Sequence, residues 1–176
     1  MKTEFKTKFL QHLIDKKQDK GFTLIELLVV IIIIGILSSI ALPSFLGQAN
    51  KAKQSEAKAY VGSMNRAQQA YYLEKGELSD NLDILGLSIQ TKTANYTYGI
   101  TDGGTGSSAV TNWGTAIDKN AVLKSYVGGV NRGGSTVAVA TTFTVLCESD
   151  KANEAKSAAT YDETTGPSCP TNYTKI

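Results

Sequence analysis

Glu26 is the residue whose type and position most demand a chemical explanation. It stands in the run Lys20-Gly21-Phe22-Thr23-Leu24-Ile25-Glu26 and is the only charge among residues 24–42, which are otherwise Leu, Ile, Val, Ala, Gly and Ser. An ionisable group in so apolar a stretch is costly, and by default it marks a function. The same few residues follow a basic leader and look like a cut site. Glycine has no Cβ, so a protease can approach its backbone closely. Little else in the chain offers reactive chemistry. His12 is the single histidine and lies in the leader, so the remainder holds no His-based triad or His-ligated metal. The glycine-rich run at 102–108 lacks the strand, loop, helix and Lys-Ser/Thr arrangement of a phosphate loop. Asp150, Glu154, Asp162 and Glu163 lack calcium-loop spacing. No catalytic residue, metal or cofactor is expected.

The element that must position Glu26 is a membrane-length helix. About 20 apolar residues cross a bilayer core, and a helix satisfies its own backbone polar groups there. The leader holds six lysines, Lys2, Lys6, Lys8, Lys16, Lys17 and Lys20, against Glu4, Asp15 and Asp19. Positive flanks stay in the cytoplasm, which places the long C-terminal part outside. A secretory signal could use Ser39-Ile40-Ala41 as its cleavage site, but its apolar region is ordinarily shorter, about 7–15 residues. A plain membrane anchor fits the length and leaves Glu26 unexplained.

A third reading comes from resemblance. The run from Lys20 through Glu26 to Leu27-Leu28-Val29-Val30, with Ala41-Leu42-Pro43 beyond it, resembles the class III signal sequence of type IV pilins and pseudopilins. The likeness covers roughly the first third of the chain. Its long leader and Ala-rich helix are most similar to cyanobacterial major pilins of the type IVa kind. The resemblance implies cleavage after Gly21 by a membrane-embedded prepilin peptidase and N-methylation of Phe22. It also implies pairing of the Glu26 carboxylate with the N-terminal amine of Phe22 in a neighbouring subunit. Gly35 and Pro43 would loosen the helix. Pro43 lacks a donor and clashes one turn back, near Ser39.

Beyond Pro43 the sequence turns amphipathic. Ala57, Tyr60, Val61, Met64, Ala67, Ala70 and Tyr71 recur at helical spacing, opposite Lys51, Lys53, Lys58, Asn65, Arg66 and Gln69. Gly76 suits a C-terminal cap. Tyr60, Tyr71 and Tyr72 are read as core packing rather than a conduction path. A short apolar connector follows at 79–88. Strands are expected at 95–100, at 121–127 and, most clearly, at 135–147. Val137, Val139, Phe143, Val145 and Cys147 would share one face of the last, with Thr136, Thr142 and Thr144 on the other. Turns are expected at 102–108, at Gly128-Gly129 and at 131–134, and the chain after Asp150 reads as irregular. Cys147 and Cys169 lie outside the membrane in this topology, where disulfides persist, the alternative being two free thiols. The resemblance favours the disulfide.

The expected fold is α+β: a long N-terminal helix whose second half packs on a small antiparallel β domain. The segments are a cleaved leader at 1–21, a hydrophobic transmembrane and assembly helix at 22–46, an amphipathic helix at 47–76, and a β-rich domain with a disulfide-closed tail at 77–176. The resemblance implies a precursor in the inner membrane and an extracellular filament of many copies, built by the peptidase, the assembly machinery and minor pilins. Twitching motility, adhesion and DNA uptake are the implied roles. Beyond the leader there are 12 basic and 13 acidic side chains, which leaves direct contact with nucleic acid open. The alternatives are a minor pilin or a type II secretion pseudopilin and, more remotely, a membrane-anchored binding protein or enzyme. Asn95-Tyr96-Thr97 and Asn172-Tyr173-Thr174 match a short glycosylation pattern common by chance.

Overall fold

The computed structural model describes residues 21–88, 90–133 and 141–176. The leader, with His12 and its lysines, lies outside them, as do residues 134–140 and with them Thr136, Val137 and Val139. Helix α1 runs Leu24–Lys75. It ends at Gly76, where φ is +74° and the Gly76 N–H donates to the Tyr72 carbonyl at 2.8 Å. Only glycine adopts that left-handed backbone at no steric cost.

The chain forms two compact units, one ending at Leu46 and the other spanning Gly47–Ile176. In the first, every described residue is exposed, although nearly all from Phe22 onward are apolar. In the second, the rest of α1 packs on a sheet.

That sheet is an antiparallel meander of β1 (Tyr96–Thr101), β2 (Ala109–Ala116), β3 (Lys124–Gly133) and β4 (Thr141–Ala152). A hairpin of β5 (Thr160–Asp162) and β6 (Gly166–Ser168) follows, and β7 (Tyr173–Lys175) returns beside β4. The sheet order is β1-β2-β3-β4-β7.

Side chains alternate across a strand, and here both faces are covered. Tyr96, Tyr98, Tyr126 and Leu123 face the helix and meet Ala57, Val61 and Met64. On the opposite face Val127, Val145 and Cys147 cluster with Ala159 and Tyr173 from the tail.

One polar contact fixes how helix and sheet meet. Asn65, only 5% exposed, donates from Nδ2 to the Val145 carbonyl at 2.9 Å and accepts from Asn112 Nδ2 at 2.8 Å. One turn on, Gln68 Nε2 donates to the Ser79 carbonyl while Gln68 Oε1 accepts the Ser79 N–H. A buried amide without partners would cost about 1–3 kcal/mol, so these pairings select one seating. The helix comes so close that a Cβ on Gly128 would sit 2.2 Å from Asn65 Oδ1. On the other face a Cβ on Gly129 would sit 2.9 Å from Ala159 Cβ.

Several local expectations change as a result. Gly128-Gly129 and Asn131-Arg132-Gly133 are not turns. They continue β3, which starts at Lys124 rather than Ala121; the glycines are there because material presses on both faces. Strand β2 has no counterpart in the sequence reading, since its inward residues Thr111 and Asn112 are polar yet buried. The tail after Asp150 is not irregular, and it supplies three short strands. In α1 the buried stripe is Ala57, Val61, Met64, Asn65, Gln68 and Tyr72. Asn65 belongs to the core face rather than the wet face, while Ala70 is exposed. Tyr72, not Tyr71, is the buried member of that pair. Phe143 points the same way as Val145 but lies over Gly133 and Gly166, partly exposed.

Four tyrosines join helix to sheet. Tyr60, Tyr98, Tyr96 and Tyr126 form a chain of rings with centroids 5.1, 6.1 and 6.5 Å apart. Tyr98 donates to Glu56, Tyr126 to Glu148 and Tyr96 to the Lys124 carbonyl. Burial raises the Tyr96, Tyr98 and Tyr126 hydroxyls well above their ordinary value, and the nearby carboxylates add to it. A raised folded-state pKa contributes stability that is full below the unfolded tyrosine value, about 10, and is lost as pH climbs toward the folded values. Stability should therefore fall steeply only above about pH 10. These three phenols should ionise together with unfolding, seen as a cooperative rise in tyrosinate absorbance coincident with loss of far-ultraviolet dichroism.

Candidate functional site

The start of α1 is built by Thr23 and Glu26. The first turn of any helix has N–H groups without intrahelical partners. Here the Thr23 N–H and hydroxyl both donate to Glu26 Oε2, each at 2.8 Å, and the Glu26 N–H donates back to Thr23 Oγ1 at 3.3 Å. This reciprocal pair is a capping box, with Thr23 as N-cap and Glu26 three residues on. Glu26 therefore anchors its own helix through one carboxylate oxygen. The other, Oε1, accepts no hydrogen bond among the described residues and can still take a donor. The sequence reading missed Thr23, though the Thr-x-x-Glu spacing before an apolar run signals the cap.

Gly21 and Phe22 precede the helix outside any helix or strand, and Phe22 is 77% exposed. From Leu27 to Leu37 the helix carries only apolar residues, and none of its membrane-length window is buried. Leaving such a side chain in water forgoes about 1.5–3 kcal/mol of burial for each Leu, Ile or Phe, so the segment needs lipid or protein around it. Gly35 and Pro43 both lie within the helix. Nothing stands within 4 Å of where a Gly35 Cβ would be, so no contact within this chain requires glycine there. Pro43 removes the donor that the Ser39 carbonyl would use. In the same stretch the Ser39 hydroxyl donates to the Ile36 carbonyl at 2.7 Å. The helix is continuous through both residues.

The remaining pair of site residues lies in the second unit. Cys147 on β4 and Cys169 after β6 are bonded, S–S 2.06 Å. Cys147 is fully buried against Val127, Val145 and Ala159. The bond ties the tail to the sheet face opposite the helix. On the helix side, Lys124 Nζ lies 2.6 Å from Glu148 Oε1. Burial raises the Glu148 carboxyl, but hydrogen bonds from Lys124 and Tyr126 outweigh it and hold the group below its ordinary value.

Two family models account for most of the chain. The prokaryotic N-terminal methylation motif matches residues 16–42, and the model described as type IV pilin-like G and H matches residues 54–170. The chain belongs to the type IV pilin-like family. It is a structural protein, not an enzyme. The α+β architecture, one long helix followed by an antiparallel sheet, agrees with that membership.

Among relatives, it is 42% identical over 71 residues to the type IV major pilin protein PilA of Myxococcus xanthus, covering 40% of this chain and 32% of that one. It is 34% identical over 82 residues to the type IV wide pilus major component PilA4 of Thermus thermophilus, covering 46% and 63% respectively. It is also 39% identical over 59 residues to the type II secretion system core protein G of Aeromonas hydrophila, covering 34% and 41%. The matches thus span about a third to two-thirds of these relatives' lengths. No solved structure matches.

Two outcomes test the site's construction. Thr23→Val should remove the cap and destabilise the helix start by about 1 kcal/mol, read as faster amide exchange at Leu24–Leu27 in detergent micelles with the helix beyond residue 30 unchanged. Cys169→Ser should lower the unfolding free energy of the second unit by roughly 3 kcal/mol, read by denaturant titration.

Proposed function

We propose that this chain is the structural subunit of a type IV pilus. The observation that carries the reading is the wholly exposed apolar first part of α1, up to Leu46, with one carboxylate at its first turn, in a family member whose residues 16–42 match the methylation motif. Residues 1–21 are the leader that prepilin peptidase removes, and Phe22 becomes the methylated N-terminus. Residues 22–46 hold the precursor in the inner membrane, with the leader cytoplasmic, and later form the core of an extracellular filament. The amphipathic segment 47–76 and the domain 77–176 face outward. The assembly machinery and minor pilins are its partners, and motility, adhesion and DNA uptake are the roles such a fibre would serve.

Glu26 sets the register of assembly in this reading. Cleavage after Gly21 creates an ammonium at Phe22, and a neighbouring copy's Glu26 offers the free Oε1. Both charges are costly in an apolar bundle, and pairing offsets part of that cost. Removing one member of a buried pair typically costs about 3–5 kcal/mol, enough to prevent a subunit from adding. Gly35 and Pro43 supply compliance to the packed helix.

A second reading, a type II secretion pseudopilin or minor pilin, is favoured by the likeness to core protein G. It keeps the same helix chemistry and differs in abundance.

Glu26→Ala and Glu26→Gln separate the two duties of the carboxylate. Both variants should be inserted and cleaved, and Glu26→Gln should keep the cap. Neither should yield filaments in sheared surface material viewed by electron microscopy. Normal fibres from Glu26→Gln would show that the charge does not set register. Abundant filaments of the unaltered chain support a major subunit, and traces confined to tips support a minor one.

A further inference from the structure

The outer face of the sheet carries a groove of about 530 Å³ that the filament reading does not use. Its floor is Thr97 on β1 with Trp113 and Thr115 on β2, and its rim includes Lys119, Glu154 and Lys156. Thr97 and Thr115 are direct cross-strand partners. Neither hydroxyl has a hydrogen-bond partner among the described residues. The wall is held in place from behind: Asn153 Nδ2 donates to the Lys119 and Ala121 carbonyls at 2.8 and 2.7 Å, and Ser125 Oγ donates to the Glu154 carbonyl at 2.6 Å. A groove formed in advance binds without the cost of ordering loops.

Trp113 is its distinctive element. One side of the indole lies flat on the backbone of Gly99, where a Cβ would fall 2.3 Å from the ring. The ring N–H donates to Thr101 Oγ1 at 3.0 Å and fixes the ring's orientation. Only the outer side can meet a ligand, and Lys156 Nζ stands over it, 4.4 Å from the ring centroid. Such a contact at an exposed site is weak. Neither Lys156 nor Lys119 has a carboxylate at ion-pair distance among the described residues, where Lys124–Glu148 is the one ion pair.

We propose that this groove binds an acidic saccharide. A sugar carboxylate entering the rim draws the Lys156 ammonium off the ring into a charge-assisted hydrogen bond, with Lys119 as second donor. The uncovered indole face, negative in its quadrupole, then meets the C–H face of the pyranose. The free Thr97 and Thr115 hydroxyls are left to pair with sugar hydroxyls, as is Glu154 Oε2, the other carboxylate oxygen already accepting from Asn172 Nδ2 at 3.3 Å. An apolar platform with a few convergent polar groups is the usual composition of a small-ligand site. The same Glu154 disfavours a nucleic acid strand, whose phosphates would pass beside a carboxylate. The proposal concerns the domain's outer face and does not rest on filament formation.

Trp113 is the sole tryptophan, so its emission reports the groove alone. The full chain in neutral detergent micelles should give a saturable emission change with trigalacturonate. Neutral galactotriose should bind far more weakly. Lys156→Ala and Lys119→Ala, both at exposed positions, should each weaken trigalacturonate binding about tenfold, the scale of one charge-assisted hydrogen bond. Lys175→Ala, outside the groove, should leave affinity unchanged. The proposal is overturned by no saturable response to trigalacturonate, by full affinity in Lys156→Ala, by equal weakening in Lys175→Ala, or by tighter binding of a short oligothymidylate.

Discussion

A helix closes its own backbone hydrogen bonds, and every use of this chain rests on that. An apolar environment supplies no partners for N–H and C=O groups, and only an element that pairs them internally can live there. Residues 24–46 meet that condition and leave their side chains exposed, open to an apolar surrounding. The one place where a helix cannot satisfy itself is its end. There Thr23 and Glu26 close the first turn upon each other, leaving one carboxylate oxygen over. Among the described residues of the first unit, the one charged side chain thus lies in a single turn.

The second unit solves a different problem, that of seating a helix on a sheet in only one way. Hydrophobic contact is non-directional and would allow Ala57, Val61 and Met64 to slide along a greasy surface. Asn65 prevents this because it has to find the Val145 carbonyl and the Asn112 amide on two strands, while Gln68 pins the connector at Ser79. Burying two amides sacrifices some packing energy in return for a unique arrangement, and the glycine at 128 clears the space in which that arrangement fits. The tyrosine chain from Tyr60 to Tyr126 continues the same theme, with rings that fill volume and, on Tyr96, Tyr98 and Tyr126, hydroxyls that reach a defined acceptor.

The helix, its cap at Gly76 and the α+β class were legible because they depend on local properties: apolar run length, spacing by three and four, a glycine just past the last turn. β1 and the first part of β4, from Thr141 to Cys147, were legible for the same reason. What was not legible depends on residues far apart in sequence. Gly128 and Gly129 look like a turn until Asn65 and Ala159 are brought against them. Asn65 looks wet until Val145 and Asn112, about 80 and 47 residues away, supply its bonds. The strand Ala109–Ala116 reads as polar because its burial is decided by a helix and a hairpin that no window around it contains. Thr23 is a different case, since its signal, a threonine three residues before Glu26 at the head of an apolar run, is local.

The adjacent glycines of β3 make the sheet only one backbone thick where it is pressed hardest. Asn65 bears on one side at Gly128, and Ala159 and Pro167 bear on the other at Gly129. No side chain cushions the two surfaces. A methyl group gained in the tail hairpin would be felt at the helix seat, so the outermost and innermost layers of the domain are free to vary only in concert.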